Sequence, residues 1–271
     1  MKNKIKQGLY PDMKDADYFG SAELTNSDFR LLSESALHHK NKDLFALGGG
    51  KFSFGSALHC LVLEPEEFEY RYAVEDFKGS DLNKNSKAYK EAKAEWKKEV
   101  EGKDILSAED HIKLKQMARN VNAIMGSFLT GRSEVAMFAD MDDVLMSGKA
   151  DHINDELRYI FDLKTTQSIS KFGTSAVDYN YISQSALYPD IYEKITGKRY
   201  NFAFILVETV SPYMVSLQTA PTEMIEIGRS IYVEMIGRYK AFRDQGQVEI
   251  EKQVRLPSWF LKAQGYGEDL L

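Results

Sequence analysis

Two acidic residues and a lysine lie close together near the middle of the chain. Asp162 and Lys164 are two residues apart in the apolar run 160–166, which predicts a β-strand. Successive strand residues point to opposite faces, so both side chains are expected on one face and Leu163 on the other. Asp151 lies eleven residues earlier and ends a second apolar stretch. Two carboxylates and a lysine on neighbouring strands can hold a divalent cation and orient a water, as phosphodiester hydrolysis requires.

The same residues could instead have a purely structural role without chemistry. An Asp-x-Lys pair at the end of an apolar strand can be an ordinary charge pair on an edge strand, and a single aspartate can be a solvated turn residue. Taken together, Asp151, Asp162 and Lys164 favour a catalytic role. Lys164 could orient the attacking water, help to deprotonate it, or neutralise the charge that develops on the phosphate.

Four further polar residues could extend such a site. Gln184 and Tyr188 are four apart in a predicted helix and share a face that should pack toward the sheet, unless they are only a rim residue and a half-buried tyrosine. His59 lies in the nearly all-apolar segment 55–63, where a histidine is more often a satisfied core residue, although neutral imidazole can bind a divalent metal. Glu134 begins the first predicted core strand and could face the metal.

Composition excludes several classes of protein. The 35 Lys and Arg residues against 41 Asp and Glu residues give a net charge of −6, which argues against a passive nucleic-acid coat. The hydrophobic fraction of 43% is enough for a substantial core. Cys60 is the single cysteine, so no intrachain disulfide is expected. No segment has the apolar pattern of a signal peptide or a membrane span, so we expect a soluble cytoplasmic protein without a membrane partner.

The hydrophobic pattern divides the chain into a helical N-terminal part and a mixed centre. Helices are predicted at about 25–39, 54–63, 87–101, 107–129, 181–195 and 222–243, and strands at about 70–74, 134–140, 144–153, 157–164, 200–208 and 213–219. The short polar connections 141–143 and 154–156 favour an antiparallel meander of the three central strands. The predicted fold class is therefore α/β, with a mixed central sheet flanked by helices and an N-terminal helical elaboration.

This pattern also predicts the domain organisation. Residues 1–23 are expected to form an irregular arm, 24–250 one domain and 251–271 a C-terminal tail. The helix at 87–101 interleaves lysines with glutamates, which is typical of a solvated helix with i,i+4 ion pairs, with phosphate contact as the alternative. Gly48-Gly49-Gly50-Lys51 lacks the G-x-x-x-x-G-K-[ST] pattern and a preceding strand, so nucleotide binding is not expected there.

The order of these motifs resembles the PD-(D/E)XK nuclease superfamily, and more narrowly the C-terminal nuclease domain of RecE, also called exonuclease VIII. The resemblance extends from about Thr25 to Arg243, and the helical Gln-x-x-x-Tyr pattern matches the related RecB-type nucleases. One departure is the absence of the name-giving proline before Asp151. The motifs that carry the resemblance are Gly55-Ser56-Ala57-Leu58-His59 with Leu63-Glu64-Pro65, Glu134, Gly148-Lys149-Ala150-Asp151, Asp162-Leu163-Lys164-Thr165-Thr166 and Gln184-Ser185-Ala186-Leu187-Tyr188.

The resemblance implies a restriction-endonuclease-like core and a set of site residues. It implies that Lys164 positions the water and that Gln184 and Tyr188 support the site or contact DNA. It implies Mg²⁺ as cofactor, with Mn²⁺ as a substitute. The implied metal ligands are His59, Asp151, Asp162 and the Leu163 carbonyl, with Glu134 as a further candidate.

The resemblance also implies an activity and partners. It predicts an exonuclease that degrades one strand of duplex DNA from its end, 5′ to 3′. It predicts a ring-shaped homo-oligomer that cooperates with a RecT-like single-strand annealing protein in phage-type recombination. Two alternatives stay open: a single-strand or structure-selective nuclease of the same superfamily, and a non-catalytic DNA-end-binding or scaffold protein on a nuclease fold. A Cas4-like nuclease would need four cluster-ligating cysteines, so the single cysteine argues against that form.

Overall fold

The computed structural model describes residues 5–45 and 54–246. Within these residues the strands are β1 (Gly8–Tyr10), β2 (Leu24–Thr25), β3 (Tyr72–Val74), β4 (Asp104–Leu106), β5 (Arg132–Asp140), β6 (Leu145–Asn154), β7 (Tyr159–Thr166), β8 (Asn201–Glu208) and β9 (Val215–Thr219). The helices are α1 (Asp15–Tyr18), α2 (Phe29–Glu34), α3 (Ala36–Lys40), α4 (Lys42–Phe45), α5 (Phe54–Leu63), α6 (Phe68–Arg71), α7 (Lys87–Glu99), α8 (Ala108–Met125), α9 (Phe172–Asp178), α10 (Tyr181–Thr196) and α11 (Thr222–Gln245). The segment Gly48-Gly49-Gly50-Lys51 and the predicted tail at 251–271 lie outside the described residues.

A single large sheet of seven strands organises the fold. Its order is β1-β5-β6-β7-β8-β9, and β2 pairs with β6 beside this path. The three central strands β5, β6 and β7 are antiparallel neighbours, as the short connections predicted. Strand β8 joins β7 in parallel after the crossover through α9 and α10, and β9 returns antiparallel. The predicted α/β fold with a mixed central sheet is confirmed.

Helices cover both faces of this sheet because its strands alternate between two apolar cores. On β7, Ile160 packs into the core that includes α10 and α11, whereas Phe161 and Leu163 pack into the core beneath α5 and α8. Helix α8 begins where predicted, because the Ser107 hydroxyl accepts a hydrogen bond from the Asp110 amide. The two layers therefore bring α5 to one side of the central strands and α10 to the other.

The N-terminal region differs from the sequence prediction. Residues 1–23 were expected to be irregular, but β1 pairs antiparallel with the edge of β5, and the Tyr10 ring lies edge-on against Phe138 with centroids 5.6 Å apart. The prediction was wrong because a three-residue edge strand gives no measurable hydrophobic period. The single helix predicted at 25–39 is interrupted at Ser35, which is extended and caps α3 through the Leu37 amide.

Two other elements also differ from prediction. Residues 68–71 form α6, so the strand predicted at 70–74 begins only at Tyr72. Strand β4 was not predicted, and it pairs in parallel with β3 as a separate two-stranded sheet. No helix within the described ranges is both long and apolar enough to cross a membrane.

Helix α11 holds α10 against the sheet through a close backbone contact at Gly228. A Cβ atom at this position would lie 2.3 Å from the carbonyl oxygen of Ile182 on α10. Because this neighbour is backbone, the two helices would have to separate to admit even one methyl group. The position of α10 against the sheet therefore depends on residue 228 being a glycine, which has no side chain.

We expect Gly228→Ala to lower the free energy of unfolding by about 1–3 kcal/mol, the usual cost of overpacking a buried contact. Urea denaturation measures this change directly. The matched control is Gly237→Ala on the same helix, where an added Cβ would meet nothing within 4 Å. This control should be stabilised by up to about 1 kcal/mol, because alanine favours the helix over glycine. Equal shifts in the two variants would contradict the proposed close contact.

Candidate active site

The candidate site lies where two central strands separate. Strands β6 and β7 pair only from Asn154↔Tyr159 to His152↔Phe161. The next opposed residues in this register are Asp151 and Asp162, and no pairing continues beyond them. Strand β5 pairs with one edge of β6, so the other edge is shared by β7 and β2. Farther along this second edge, at Met146 and Ser147, β2 pairs with β6 in place of β7. The two aspartates predicted from sequence therefore face each other across a fork in the sheet.

Asp162 and Lys164 lie on one face of β7, as strand alternation predicts. The Lys164 Nζ atom is 2.5 Å from Asp162 Oδ2, and the Asp162 side chain is only 1% exposed. The Gln184 amide on α10 donates to Asp162 Oδ1 over 2.6 Å. The Gln184 hydrogen bond fixes the carboxylate, whereas the buried Oδ2 atom has the ion pair with Lys164 but no hydrogen bond within the described residues.

Three other side chains lie together on the opposite side of the fork. His59, Glu134 and Asp151 each offer a ligand atom, and these atoms all lie within 4.8 Å of one another. Within this cluster the Nδ1 atom of His59 is 3.4 Å from Asp151 Oδ2. Asp151 Oδ2 also accepts a hydrogen bond from the Leu163 amide over 2.7 Å, which ties the carboxylate to β7. The cluster therefore spans α5, β5 and β6.

The Leu163 carbonyl, predicted as a metal ligand, lies against the ring of His59, another predicted ligand. It accepts a hydrogen bond from His59 Nε2 over 2.5 Å. Histidines that ligate metals usually donate their second ring N–H to a carboxylate or a backbone carbonyl, which fixes the ring and the tautomer. Here the contact leaves Nδ1 directed toward Asp151, so the carbonyl orients the imidazole.

Glu134 reaches the cluster through an unusual backbone conformation. Its φ is +53°, in the left-handed region that is uncommon for a residue with a side chain. Glu134 would pair with Asp151 in the β5–β6 register, yet the ladder skips this one position. Such strain costs about 1–3 kcal/mol and is concentrated at functional sites. We infer that the conformation turns the Glu134 carboxylate toward Asp151.

The electrostatics of the cluster favour a bound cation. Burial raises the pKa of Asp151 to about 7, with repulsion from Asp162 adding to the shift and Lys164 opposing it. Burial and the nearby Asp151 also raise the pKa of Glu134. Burial and Lys164 lower the pKa of His59, which keeps the imidazole in the neutral form that binds metals. A divalent cation would stabilise both carboxylates in their charged form.

The donor set of this cluster fits a divalent metal. Carboxylates are suitable ligands for Mg²⁺ or Mn²⁺, and a neutral imidazole can also bind a divalent metal. Ligand atoms about 2.1 Å from a shared ion are at most about 4.2 Å apart, so a cluster within 4.8 Å needs only a small contraction. Asp162, predicted as a ligand from the strand pattern and from the resemblance, is not among these three residues. Its Oδ1 atom accepts from Gln184, and its Oδ2 atom lies beside Lys164.

Tyr188 lies on the sheet beside the Gly148 backbone, one turn of α10 from Gln184. A Cβ at residue 148 would be 2.6 Å from the Tyr188 ring, so glycine is required for this contact. Burial raises the pKa of the Tyr188 phenol well above its usual range, and the phenol hydrogen-bonds the Lys149 backbone. The structure thus gives Tyr188 a supporting position that holds α10 close to β6, while Gln184 contacts a site carboxylate directly.

Sequence reasoning missed a second lysine of the site. Lys149 Nζ lies 2.6 Å from Glu134 Oε2 and 2.8 Å from Asp15 Oδ1. Lys149 precedes Asp151 by two residues and therefore shares its face of β6, a signal that strand alternation could have supplied. Asp15 belongs to α1 in the N-terminal region, and no local sequence signal indicates that it approaches residue 149.

An open cavity of about 780 Å³ gives access to the cluster. Its walls come from α5, the β3–β4 sheet, β6 and β7. The cations Arg71, Lys149 and Lys164 line it together with the acidic residues Asp15, Glu64, Asp104 and Glu134, and His59 and Glu134 of the cluster are part of its wall. A cavity with such ligand groups and cations in its walls can hold a metal and the phosphate that it polarises.

These features define the class of protein. A family model described as a PDDEXK-like domain of unknown function, DUF3799, matches residues 27–250, and the chain belongs to this family. The superfamily resemblance drawn from the sequence motifs is therefore confirmed.

Comparison with solved structures supports the same fold. A Eubacterium rectale protein provisionally named an exonuclease is 12% identical with a TM-score of 0.61, over 93% of this chain and 98% of its own. A phage-related exonuclease from Haemophilus somnus is 12% identical with a TM-score of 0.28, over 75% of this chain and 100% of its own. A search of curated proteins gave no match. At this level of identity, the first likeness shows the fold, and the second carries no argument.

We expect Gln184→Met to reduce the activity of the site by about 10- to 100-fold, as is typical when a group that orients an active-site ligand is lost. The variant keeps side-chain volume but removes the donor to Asp162 Oδ1, so the carboxylate can rotate away from Lys164. Steady-state nuclease assays measure the effect, and urea denaturation should show a loss of about 1–3 kcal/mol from the unsatisfied buried oxygen. Gln218→Met on β9 is the matched control, and an equal loss of activity there would contradict the assignment.

Proposed function

We propose that this protein is a metal-dependent nuclease that hydrolyses phosphodiester bonds in DNA. The observation that carries the proposal is the fork between β6 and β7. There the Asp162–Lys164 pair faces a cluster of His59, Glu134 and Asp151 at the base of an open cavity. Membership of the PDDEXK-like family supports the same reaction.

The metal would be held by the cluster of His59, Glu134 and Asp151. When bound there, Mg²⁺ or Mn²⁺ polarises the phosphate and lowers the pKa of a water. The Leu163 carbonyl and the Leu163 amide keep His59 and Asp151 in position. The protein thereby supplies a set of ligands that is oriented before the substrate arrives.

Lys164 supplies the fixed positive charge of the proposed site. Burial acts to lower its pKa, but attraction to Asp162 and Asp151 raises the pKa overall, so the ammonium stays protonated. A protonated lysine cannot accept a proton from water; it can hydrogen-bond the nucleophile and stabilise negative charge on the phosphate oxygens. Asp162 holds the ammonium in place and is itself held by Gln184, which makes Asp162 a positioning residue in this arrangement.

Duplex DNA ends are the proposed substrate, with digestion from 5′ to 3′. Support comes from the motif order that resembles RecE and from the fold shared with the Eubacterium rectale protein that has a provisional exonuclease name. The cations in the cavity wall can contact phosphates on either side of the cut. A ring-shaped homo-oligomer and a single-strand annealing partner complete the proposal on the motif resemblance, and the cytoplasmic location expected from the sequence pattern is proposed with them.

The test is digestion of matched DNA substrates with Mg²⁺. Linear duplex, covalently closed circular duplex and single-stranded DNA are compared, with a label at either the 5′ or the 3′ end of the duplex. Release of mononucleotides from linear duplex, with early loss of the 5′ label, is the expected result. Cleavage of circular or single-stranded DNA at the same rate would replace the exonuclease proposal with a structure-selective or single-strand nuclease. Tight binding to ends without any turnover would indicate a DNA-end-binding protein instead.

A further inference from the structure

We propose that Tyr179 and Tyr181 form a stacking platform for an unpaired base at the end of the DNA strand being cut. The inference rests on the proposed function, because it assigns a substrate contact beside the same site. It concerns residues outside the motifs that carry the family resemblance.

The platform is a continuous series of rings that begins at the catalytic lysine. The Lys164 Nζ atom lies 4.9 Å from the centroid of the Tyr181 ring. Tyr181 stacks on Tyr179 with centroids 5.7 Å apart and an angle of 28° between the planes. Tyr181 also stacks on Phe172, with centroids 5.9 Å apart and an angle of 16° between the planes. Tyr181 also lines the active-site cavity. A base on Tyr179 would therefore belong to a nucleotide close to the phosphate at Lys164.

The outermost ring has a large surface that the fold does not use. Tyr179 is 65% exposed, and the neighbouring Val177 is also 65% exposed. Phe172, at the inner end of the same series, is buried. Packing in the core therefore accounts for the Phe172 ring but not for the Tyr179 ring. An exposed aromatic and aliphatic pair beside a polar catalytic cavity is a typical contact surface for the faces of unpaired bases.

The connection between the two tyrosines holds their rings parallel. Asn180 has a φ of +57°, a left-handed conformation that asparagine tolerates better than most residues. Its carbonyl accepts hydrogen bonds from the Ser183 hydroxyl at 3.2 Å and from the Asn26 amide at 3.3 Å. These bonds anchor the turn to α10 and to the segment before α2. The platform is therefore ordered before any base binds, which reduces the entropy lost on binding.

The chemistry of stacking matches an enzyme that processes DNA of any sequence. Every base presents a π-face, so an aromatic platform binds all four without reading their edges. Lys164 lies over the Tyr181 ring, and this cation–π contact fixes the tyrosine nearest the reacting phosphate. The platform would hold a frayed terminal base away from the duplex and bring its phosphate toward the metal cluster. The ligand class is thus an unpaired base at a strand terminus.

The test is a double-mutant cycle between the protein and the DNA. Binding is measured by fluorescence anisotropy with Ca²⁺ in place of Mg²⁺, on a duplex with a two-nucleotide unpaired terminus. The second DNA carries abasic sites at these two positions. For the wild-type protein, loss of the bases should weaken binding by about 5- to 150-fold per stacked base. Tyr179→Leu keeps an apolar side chain without a π-face, and Tyr179→Phe keeps the ring.

The expected result is strong coupling between residue 179 and the terminal bases. Tyr179→Leu should weaken binding to the intact terminus by the same factor as the abasic sites do for the wild-type protein. In this variant the abasic sites should then have almost no further effect on binding. Tyr179→Phe should restore the wild-type dependence on the bases. Additive effects of Tyr179→Leu and the abasic sites, or equal binding of both DNAs by the wild-type protein, would overturn the platform. Nucleotide release from linear duplex by the same protein preparations, assayed with Mg²⁺, would show that the proposed nuclease function survives such a failure.

Discussion

Replacement of Lys164 by alanine is expected to slow hydrolysis of linear duplex DNA by at least about 100- to 1000-fold, the usual effect of removing one preorganised charge-stabilising group. The Lys164 ammonium is the cation that the structure fixes at the fork, 2.5 Å from Asp162 Oδ2. Without it, negative charge that develops on the phosphate would lose a partner in a site that is partly shielded from water. Initial rates of acid-soluble nucleotide release at saturating Mg²⁺ measure the change.

Two further variants separate the loss of charge from a loss of structure. Lys164→Gln keeps a hydrogen-bond donor for Asp162 but removes the charge, and it should be nearly as inactive as the alanine variant. Lys171→Ala removes an exposed lysine seven residues away and should retain wild-type activity. Circular dichroism and thermal denaturation confirm that each variant is folded at the assay temperature. Substantial activity in Lys164→Gln would show that the charge is not required.

Replacement of Asp151 by asparagine is expected to weaken binding of Mn²⁺ by more than about 100-fold, because the change removes a charged ligand rather than a residue that only supports one. Asp151 is the residue of the cluster that contacts both His59 and the Leu163 amide. The asparagine side-chain oxygen can still accept from that amide, so the fork should keep its geometry. Isothermal titration calorimetry with Mn²⁺ measures affinity without DNA and without turnover.

The matched control for this variant is Asp81→Asn, which changes an exposed aspartate in the loop before α7. Its Mn²⁺ affinity should equal that of the wild type. Glu134→Gln should also weaken Mn²⁺ binding, because Glu134 belongs to the same cluster. If Asp162→Asn weakens Mn²⁺ binding as strongly as Asp151→Asn does, then Asp162 is a direct ligand, as the sequence resemblance implied. Unchanged affinity in Asp151→Asn would remove the basis for the metal site.

Local periodicity predicted the parts of the site that lie within one element. The alternation of β7 places Asp162 and Lys164 together, and the helical spacing of Gln184 and Tyr188 places both on the sheet-facing side of α10. These relations depend only on the two-residue period of a strand and the 3.6-residue period of a helix. The meander of β5, β6 and β7 was predictable for a similar reason, since its connections are short.

Relations between distant elements could not be read from the sequence. The fork depends on where β7 leaves β6 and β2 takes its place, and no residue pattern marks that point. The left-handed backbone at Glu134 is imposed by its surroundings, because glutamate has no preference for it. The partner of the Leu163 carbonyl depends on the docking of α5, more than 100 residues earlier in the chain. Long-range packing decided each of these features.

The ion pair between Asp15 and Lys149 has a practical consequence for work with the purified protein. Lys149 is shared between an acidic residue near the amino terminus and Glu134 of the metal cluster. Deleting the first twenty residues, or fusing a bulky tag that displaces them, would leave Lys149 free to neutralise Glu134 alone and so compete with an incoming cation. Trimmed versions chosen for ease of crystallisation would then need more Mg²⁺ for half-maximal occupancy than the intact polypeptide.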